Sequence, residues 1–392
     1  MLAKILLFVV CMPLMVVNLS AVELSDIEIH GFVSIGYVKS QDNDFFSGTH
    51  RGTFEFNEFA VNFSADLDSR THIGIQLFAR DLGDLGNDEI EIDWAFFDHK
   101  FNDKIGMRAG RFKLPTALYN EYMDIDAVRT TIFLPTGIYS HTFRDLSLSA
   151  DGFDAYGTLP LGGVGDIEYN VYFGTQTITE DHAVANSFST RGLDNISAEL
   201  DYMLGAGLLW NTSLSGLRFG AFSYIQKDWS IDGESAGGSP FLPTAGTPLN
   251  FYTDKLTSLK LAVEYTIEDW VFASEWGTFK GDWFSGSTAI FQQNQESWYV
   301  QASYRINEKW EVASYYSEFY HDADDKNGAG FANAHDAYHK DTDFSVRYDA
   351  SEFWTLKVEV HYIDGTAVGK SPDSDPTEPH WLMFAFKTTV TF

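Results

Sequence analysis

Charged residues of both signs gather between Arg108 and Arg144: Arg108, Arg111 and Lys113, then Glu121, Asp124 and Asp126, then Arg129 and Arg144. Acids set against arginines across a narrow space create a transverse field, which sorts ions that pass through it. Other chemistry finds little support. There is no Gly-x-Ser-x-Gly, no phosphate-cradling loop and no dinucleotide fingerprint, so no catalytic residue is expected. His335, Tyr338 and His339 lie close together but bring no further ligands, and the run Asp322-Ala323-Asp324-Asp325-Lys326-Asn327-Gly328 lacks the closing Glu of a twelve-residue calcium loop. No metal site and no cofactor are expected.

The elements that position these residues have to be read from composition and period. The 392 residues carry 26 Lys+Arg against 56 Asp+Glu, a net charge of −30. A surface built on a basic stripe is absent, which argues against nucleic acid as a partner. With 33 Phe, 19 Tyr, 10 Trp and 32 Gly against 10 Pro, the balance favours strands joined by turns. Residues 1–21 read as a secretory signal: Lys4 starts it, Ile5 to Val17 form the apolar stretch, and Ser20-Ala21 supply small residues near the cut. The only cysteine, Cys11, falls inside that segment, so the mature chain has no disulfide or thiolate site. Residues 22–392 are expected to form one domain.

From Ile27 onward apolar residues recur at every second position, the pattern of a strand whose faces meet different surroundings. Leu259, Leu261, Val263, Tyr265 and Ile267 alternate with Lys260, Glu264 and Thr266; Trp298, Val300, Ala302, Tyr304 and Ile306 enclose Gln301, Ser303 and Arg305. About sixteen such segments run from 26–39 to 380–392. Those at 147–158 and 309–320 alternate least clearly, so fourteen or eighteen strands stay open.

The connections alternate short and long. Tight hairpin signals such as Asp68-Ser69-Arg70, Glu268-Asp269 and Asn307-Glu308 are separated by longer stretches at roughly 40–51, 81–88, 113–146, 178–195, 228–256, 281–296, 321–341 and 364–379. Short turns kept at one end are the mark of a closed transmembrane β-barrel, in which every backbone group must be paired because lipid offers no partner. Tyr37, Trp94, Tyr169, Trp210, Trp270, Trp298, Trp310, Trp354 and Tyr362 are expected to form its interfacial girdles.

With the signal segment, the closing strand Leu382 to Phe392 and the stretch Met107-Arg108-Ala109-Gly110-Arg111-Phe112-Lys113-Leu114-Pro115, the chain resembles the Gram-negative outer-membrane porins. The stretch Gly110 to Pro115 followed by Leu118-Tyr119-Asn120 is also similar to porins of the phosphate-selective O/P type. The resemblance implies an integral outer-membrane location and a homotrimer. It implies recognition of Phe392, with Val390, Phe386 and Phe384 on the same face, by the barrel-assembly machinery. It further implies that the third and longest loop, 113–146, folds inward and narrows the bore. The constriction is then assigned to Arg80, Arg108, Arg111, Lys113, Glu121, Asp124, Asp126 and Arg129.

Lipid and lipopolysaccharide are the expected surroundings, with divalent bridging to lipopolysaccharide at the 322–328 run as the alternative to a solvated loop. The wall charges roughly balance, so the negative excess is expected in outer loops, at Asp81, Asp84, Asp88 and Glu89, at Asp322, Asp324, Asp325, Asp336 and Asp341, and at Asp364, Asp373, Asp375 and Glu378. That acidic vestibule favours weak cation preference within a Debye length of about 8 Å. The expected function is passive diffusion of ions and small hydrophilic solutes. A selective uptake channel for phosphate, a sugar or an organic acid, and an adhesin or receptor, remain as alternatives.

Overall fold

The computed structural model describes residues 23–46, 48–83, 85–86, 88–179, 185, 192–237, 243–369 and 377–392. The expected signal segment lies outside them, as do Asp84, Asp373 and Asp375.

The strands run β1 (Glu28–Ser40), β2 (Asn57–Asp68), β3 (Thr71–Leu82), β4 (Leu85–Gly86), β5 (Glu91–Asn102), β6 (Ile105–Lys113), β7 (Ser149–Pro160) and β8 (Gly165–Ile178). They continue as β9 (Leu193–Thr212), β10 (Leu217–Ser235), β11 (Pro248–Ile267), β12 (Trp270–Ser285), β13 (Thr288–Arg305), β14 (Trp310–Tyr320), β15 (Tyr338–Ser351), β16 (Trp354–Gly365) and β17 (His380–Thr391). The two-residue β4 folds back on β3, and the other sixteen form a closed antiparallel barrel. Closure comes from β1 on β17, with Gly36 opposite Lys387, which removes both sheet edges. The two segments of weakest alternation are therefore strands, β7 and β14.

Alternation decides which face meets lipid. On β11, Leu259 and Leu261 are exposed on the outer wall, while Ser258, Ala262 and Glu264 are buried inward. The same holds on β17, where Leu382, Phe384 and Val390 face outward and Trp381, Met383, Ala385 and Lys387 inward. Trp210, Trp270, Trp310 and Trp354 stand exposed near the short-turn end, and Trp270 and Trp310 pair with Tyr304 and Tyr348 at 4.6 Å between ring centroids. A closed barrel with such an apolar belt and aromatic rim is an integral membrane barrel of the outer-membrane type. Among the described residues no helix is long and apolar enough to cross a membrane.

The short turns share a device. Asp68 accepts the Arg70 N–H at 2.7 Å, Asn102 that of Lys104 at 2.9 Å, and Asn307 those of Lys309 at 2.9 Å and Trp310 at 3.1 Å. At the β9–β10 turn, Gly216 has φ of 81°, and a Cβ there would lie 1.9 Å from the Thr266 carbonyl oxygen.

Three expectations need correction. The stretches 228–256 and 281–296 are largely strand: β10 continues to Ser235, β11 starts at Pro248, and only Gly286 and Ser287 join β12 to β13. Their polar content marks exposure to water and not a lack of pairing, since Asn250 donates to Asp232 across the ladder at 2.7 Å. Trp94 is not a girdle residue. A bulge between Gln76 and Leu77 lets both Asp93 and Trp94 turn inward, and Trp94 packs against Phe96 with ring centroids 5.2 Å apart. Asp341, expected in an outer loop, sits on β15 facing the lumen and is buried.

Candidate functional site: a lumen crossed by the third loop

Residues 114–148, between β6 and β7, form the longest connection and fold into the bore. Apolar side chains drive the loop inward. Ile132, Phe133, Leu134 and Tyr139 are each 2% exposed or less, and each such burial contributes roughly 1.5–3 kcal/mol. Phe133 stacks on Phe56 at 5.2 Å and meets Phe45 edge-on at 5.8 Å, which joins the third loop to the first.

Polar contacts then fix the loop to the wall on three sides. On the β3–β6 side, Arg144 donates to Asp124 at 2.6 Å and to Asp93 at 2.8 Å, and Lys113 reaches the same two carboxylates at 2.7 and 2.8 Å. Arg80 completes that group, donating to the His141 carbonyl at 3.1 Å and to Asp145 at 3.4 Å. On the side of β16, β17 and β1, Asp126 meets Lys387 at 2.6 Å, Arg129 at 3.2 Å and Lys357 at 3.4 Å, and accepts from Thr389 at 3.1 Å and Ser34 at 3.3 Å. Lys387 also pairs with Glu58. Glu359 accepts the backbone N–H groups of Ile132 and Phe133 at 3.0 Å each, and Arg347 donates to the Ala127 and Arg129 carbonyls at 2.7 and 3.1 Å. On the third side, Glu275 of β12 accepts from Leu118 N–H at 3.1 Å, from Tyr299 at 2.9 Å and from Tyr139, while Tyr119 donates to Glu264 at 2.5 Å.

Burial pushes the loop carboxyls Asp124 and Asp126 up, but facing cations outweigh it. Arg144 and Lys113 hold Asp124, and Lys387, Lys357 and Arg129 hold Asp126, well below the usual carboxylate range. Glu121 is pushed up by burial despite Arg108. His141 is pushed down by burial, helped by Arg129 and Arg80, so its ring stays neutral.

The eight residues assigned to the constriction do not form one ring. Arg80, Lys113 and Asp124 belong to the first anchor, and Asp126 and Arg129 to the second. Arg108 lies nearer the short-turn end, with Asp98 at 3.3 Å, Glu121 at 3.8 Å and Asp154 at 3.9 Å, its guanidinium 4.8 Å over the Phe96 ring. Arg111 lines a small pocket with Asp93, Arg144 and Asp145 but pairs with Asp151 at 3.6 Å, and among the described residues no ion pair joins it to the other seven. The closing-strand residues Phe384, Phe386, Val390 and Phe392 share the outward face.

The sector left beside the loop has a different character. A cavity of about 430 Å³ lies between Ile138, Phe143 and Leu146 of the loop and the inner faces of β8 to β13. Tyr224, Trp229, Leu256, Phe279 and Trp283 line it, with Gln226, Gln293, Gln295 and Lys260 among its polar groups. Sequence reading missed this apolar inner half. Its signal was a local failure of alternation: Phe222 and Tyr224 interleave with Phe219, Ala221 and Ile225, so both faces of β10 are apolar. Also missed was the inward row Asp341, Asp343 and Ser345 of β15 opposite Glu359 and His361 of β16, although its period of two was on view.

No family model matches the chain, and no curated protein matches its sequence. Among solved structures it is similar to in-vitro folded OmpT of Vibrio cholerae in its trimer form, with TM-score 0.56, 13% identity, and 93% of this chain and 99% of that one covered. An anion-selective porin from Comamonas acidovorans gives TM-score 0.56 at 12% identity, covering 93% and 99%. Salmonella typhi OmpF in complex with daunomycin gives 0.58 at 12%, covering 93% and 97%. What is shared at such identities is the fold, and the chain has the architecture of integral barrels of the Gram-negative outer membrane.

Proposed function

We propose that the protein is a porin through which ions and small hydrophilic solutes diffuse passively, and that no residue carries out a reaction. The carrying observation is the third loop held across the bore of a closed barrel, by buried ion pairs to Asp93 of β5 and Lys387 of β17 and by hydrogen bonds to Glu275 of β12 on the far wall. A loop fixed in this way narrows a passage without sealing it by covalent means, and size and field at the narrow point set which solutes pass. Because most constriction charges neutralise one another, the remaining field comes from Arg108 with its three carboxylates and from the acidic outer loops, which gives weak cation preference. Phosphate selectivity is not favoured, since Arg111 is paired with Asp151 and Lys113 is taken up by Asp93 and Asp124. By analogy with the Vibrio barrel's trimer form, a homotrimer is proposed, and by the porin resemblance, Phe392 and its face serve the assembly machinery.

The test is planar-bilayer conductance of the purified protein with reversal potential in a salt gradient. Stepwise openings with a cation-directed potential support the reading; no openings from a folded barrel would overturn it in favour of an adhesin or receptor.

One observation favours selective uptake of an organic acid as a second reading. The cavity offers aromatic walls and Lys260, which has no carboxylate within 4.0 Å among the described residues. Such a site suits a solute with an apolar body and one carboxylate. Benzoate should then interrupt the current at concentrations where acetate does not, and Lys260→Met should abolish the interruption. Equal behaviour of the two anions would remove this reading.

A further inference from the structure

The inner face of β15 and β16 carries a concentration of buried acid that the porin reading uses only through Glu359. Asp343 stands directly opposite His361, and Ser345 opposite Glu359. His361 Nε2 lies 3.2 Å from Glu359 Oε2 and 4.0 Å from Asp343 Oδ1, and the three ligand atoms lie within 4.8 Å of one another. All three side chains are at most 1% exposed. Asp343 Oδ1 has no hydrogen-bond partner, and His361 Nε2, although 3.2 Å from Glu359 Oε2, makes no hydrogen bond of good geometry, a costly arrangement for buried polar groups.

The surroundings complete a pattern. His361 Nδ1 faces both oxygens of Asp341 at 3.0 Å, and Tyr315 fixes that carboxylate by donating at 2.8 Å. A carboxylate on the far nitrogen of an imidazole sets the tautomer that leaves Nε2 free to ligate. Ser345 Oγ lies between the two carboxyls, 2.8 Å from Asp343 Oδ2 and 2.7 Å from Glu359 Oε1, and Asp343 Oδ1 is the oxygen left without a partner. Asp341, Asp343 and Glu359 thus share one imidazole, and among the described residues no Lys or Arg lies within 4.0 Å of them. A dication would supply the missing positive charge.

We propose that Asp343, Glu359 and His361 bind a divalent first-row transition metal, with Asp341 as the positioning residue for His361. One imidazole and two carboxylates suit zinc, whose bonds of about 2.0–2.2 Å require the three side chains to draw together by less than about 1 Å. Because Glu359 also holds the Ile132 and Phe133 amides, the bound ion strengthens the anchor of the third loop.

The test uses full-length folded protein in detergent, stripped with EDTA and titrated with Co²⁺ for its d–d absorption, then with Zn²⁺ in competition. One Co²⁺ per chain with a tetrahedral or five-coordinate spectrum, displaced by one Zn²⁺, is expected. Asp341→Asn should weaken Zn²⁺ by about 10–100-fold. The near-isosteric Asp343→Asn should weaken it further while heat-modifiable migration stays unchanged. Absence of a d–d spectrum in folded wild type would overturn the proposal. So would equal affinity in wild type and Asp343→Asn, which would place the ion on exposed histidines.

Discussion

Asp126→Asn is the perturbation that most directly probes how the third loop is held. In the wild type, Asp126 and Glu58 face Arg129, Lys357 and Lys387; the substitution leaves Glu58 alone against three cations. Asp126, Lys357 and Lys387 are each at most 2% exposed, so water cannot make up the loss. Removing one partner from a buried ion pair costs about 3–5 kcal/mol, much of it from the charge left unpaired. About 4 kcal/mol is roughly a thousandfold in the ratio of anchored to released loop. Because the barrel ladder is untouched, the loss should appear as mobility of the loop: larger and noisier single-channel conductance, with sheet content unchanged. Asp126→Asn/Lys357→Met restores the original charge balance and should recover part of the loss, with a coupling of about 0.5–3 kcal/mol in urea unfolding followed by tryptophan fluorescence. Wild-type conductance and noise in Asp126→Asn, with stability within about 0.5 kcal/mol, would refute the anchoring role.

Three further outcomes follow from the same contacts. Asp124 and Asp126 are held below their ordinary value of 3.8, so the stability they lend is complete above that pH and is lost only as pH falls through the depressed values; conductance should stay level from neutral pH down to about 4 and rise below it. Arg108→Ala frees Asp98, Glu121 and Asp154, and an extra unscreened charge near 4 Å is worth about 1 kcal/mol even at the dielectric of water, up to roughly a fivefold shift in local ion balance; the reversal potential should move toward cations, and no movement would take Arg108 out of the conduction path. Gly216→Ala places a Cβ against the Thr266 carbonyl at positive φ, which should cost about 1–3 kcal/mol in urea unfolding without changing conductance.

Much of the wall was legible because one physical rule governs it everywhere. Lipid outside and polar contacts inside impose a period of two, and Leu259 to Ile267 obey it without exception. The Asx turns at Asp68, Asn102 and Asn307 were legible for a similar reason, since their hydrogen bonds span two or three residues. The inward turn of the third loop was foreshadowed by Ile132, Phe133 and Leu134, which are costly to leave in water. Bulges break the rule silently: nothing in the residues around Trp94 announces that Asp93 is an extra inward residue, because a bulge is decided by the partner strand. Strand ends were misplaced at 228–256 and 281–296 because Asp, Asn and Ser mark contact with water, and a hairpin rising above the membrane is both polar and paired.

The charges assigned to the constriction were named from the sequence, but their partners were not, and the partners decide what the charges do. Asp126 finds Lys387 and Lys357 only because closure of the barrel brings β16 and β17 beside a loop more than two hundred residues earlier. Once paired, Asp124 with Arg144 and Asp126 with Lys387 act as fasteners and contribute little net field. The field at the bore must then come from charges whose balance is incomplete. Arg108, facing Asp98 and Asp154 of the wall and Glu121 of the loop, is one such place. Lys260, facing none within 4.0 Å across an apolar cavity, is the other. These two sites carry opposite signs in different sectors of the lumen, so the proposed cation preference and the proposed capture of an apolar carboxylate can be tested separately by changing one residue at a time.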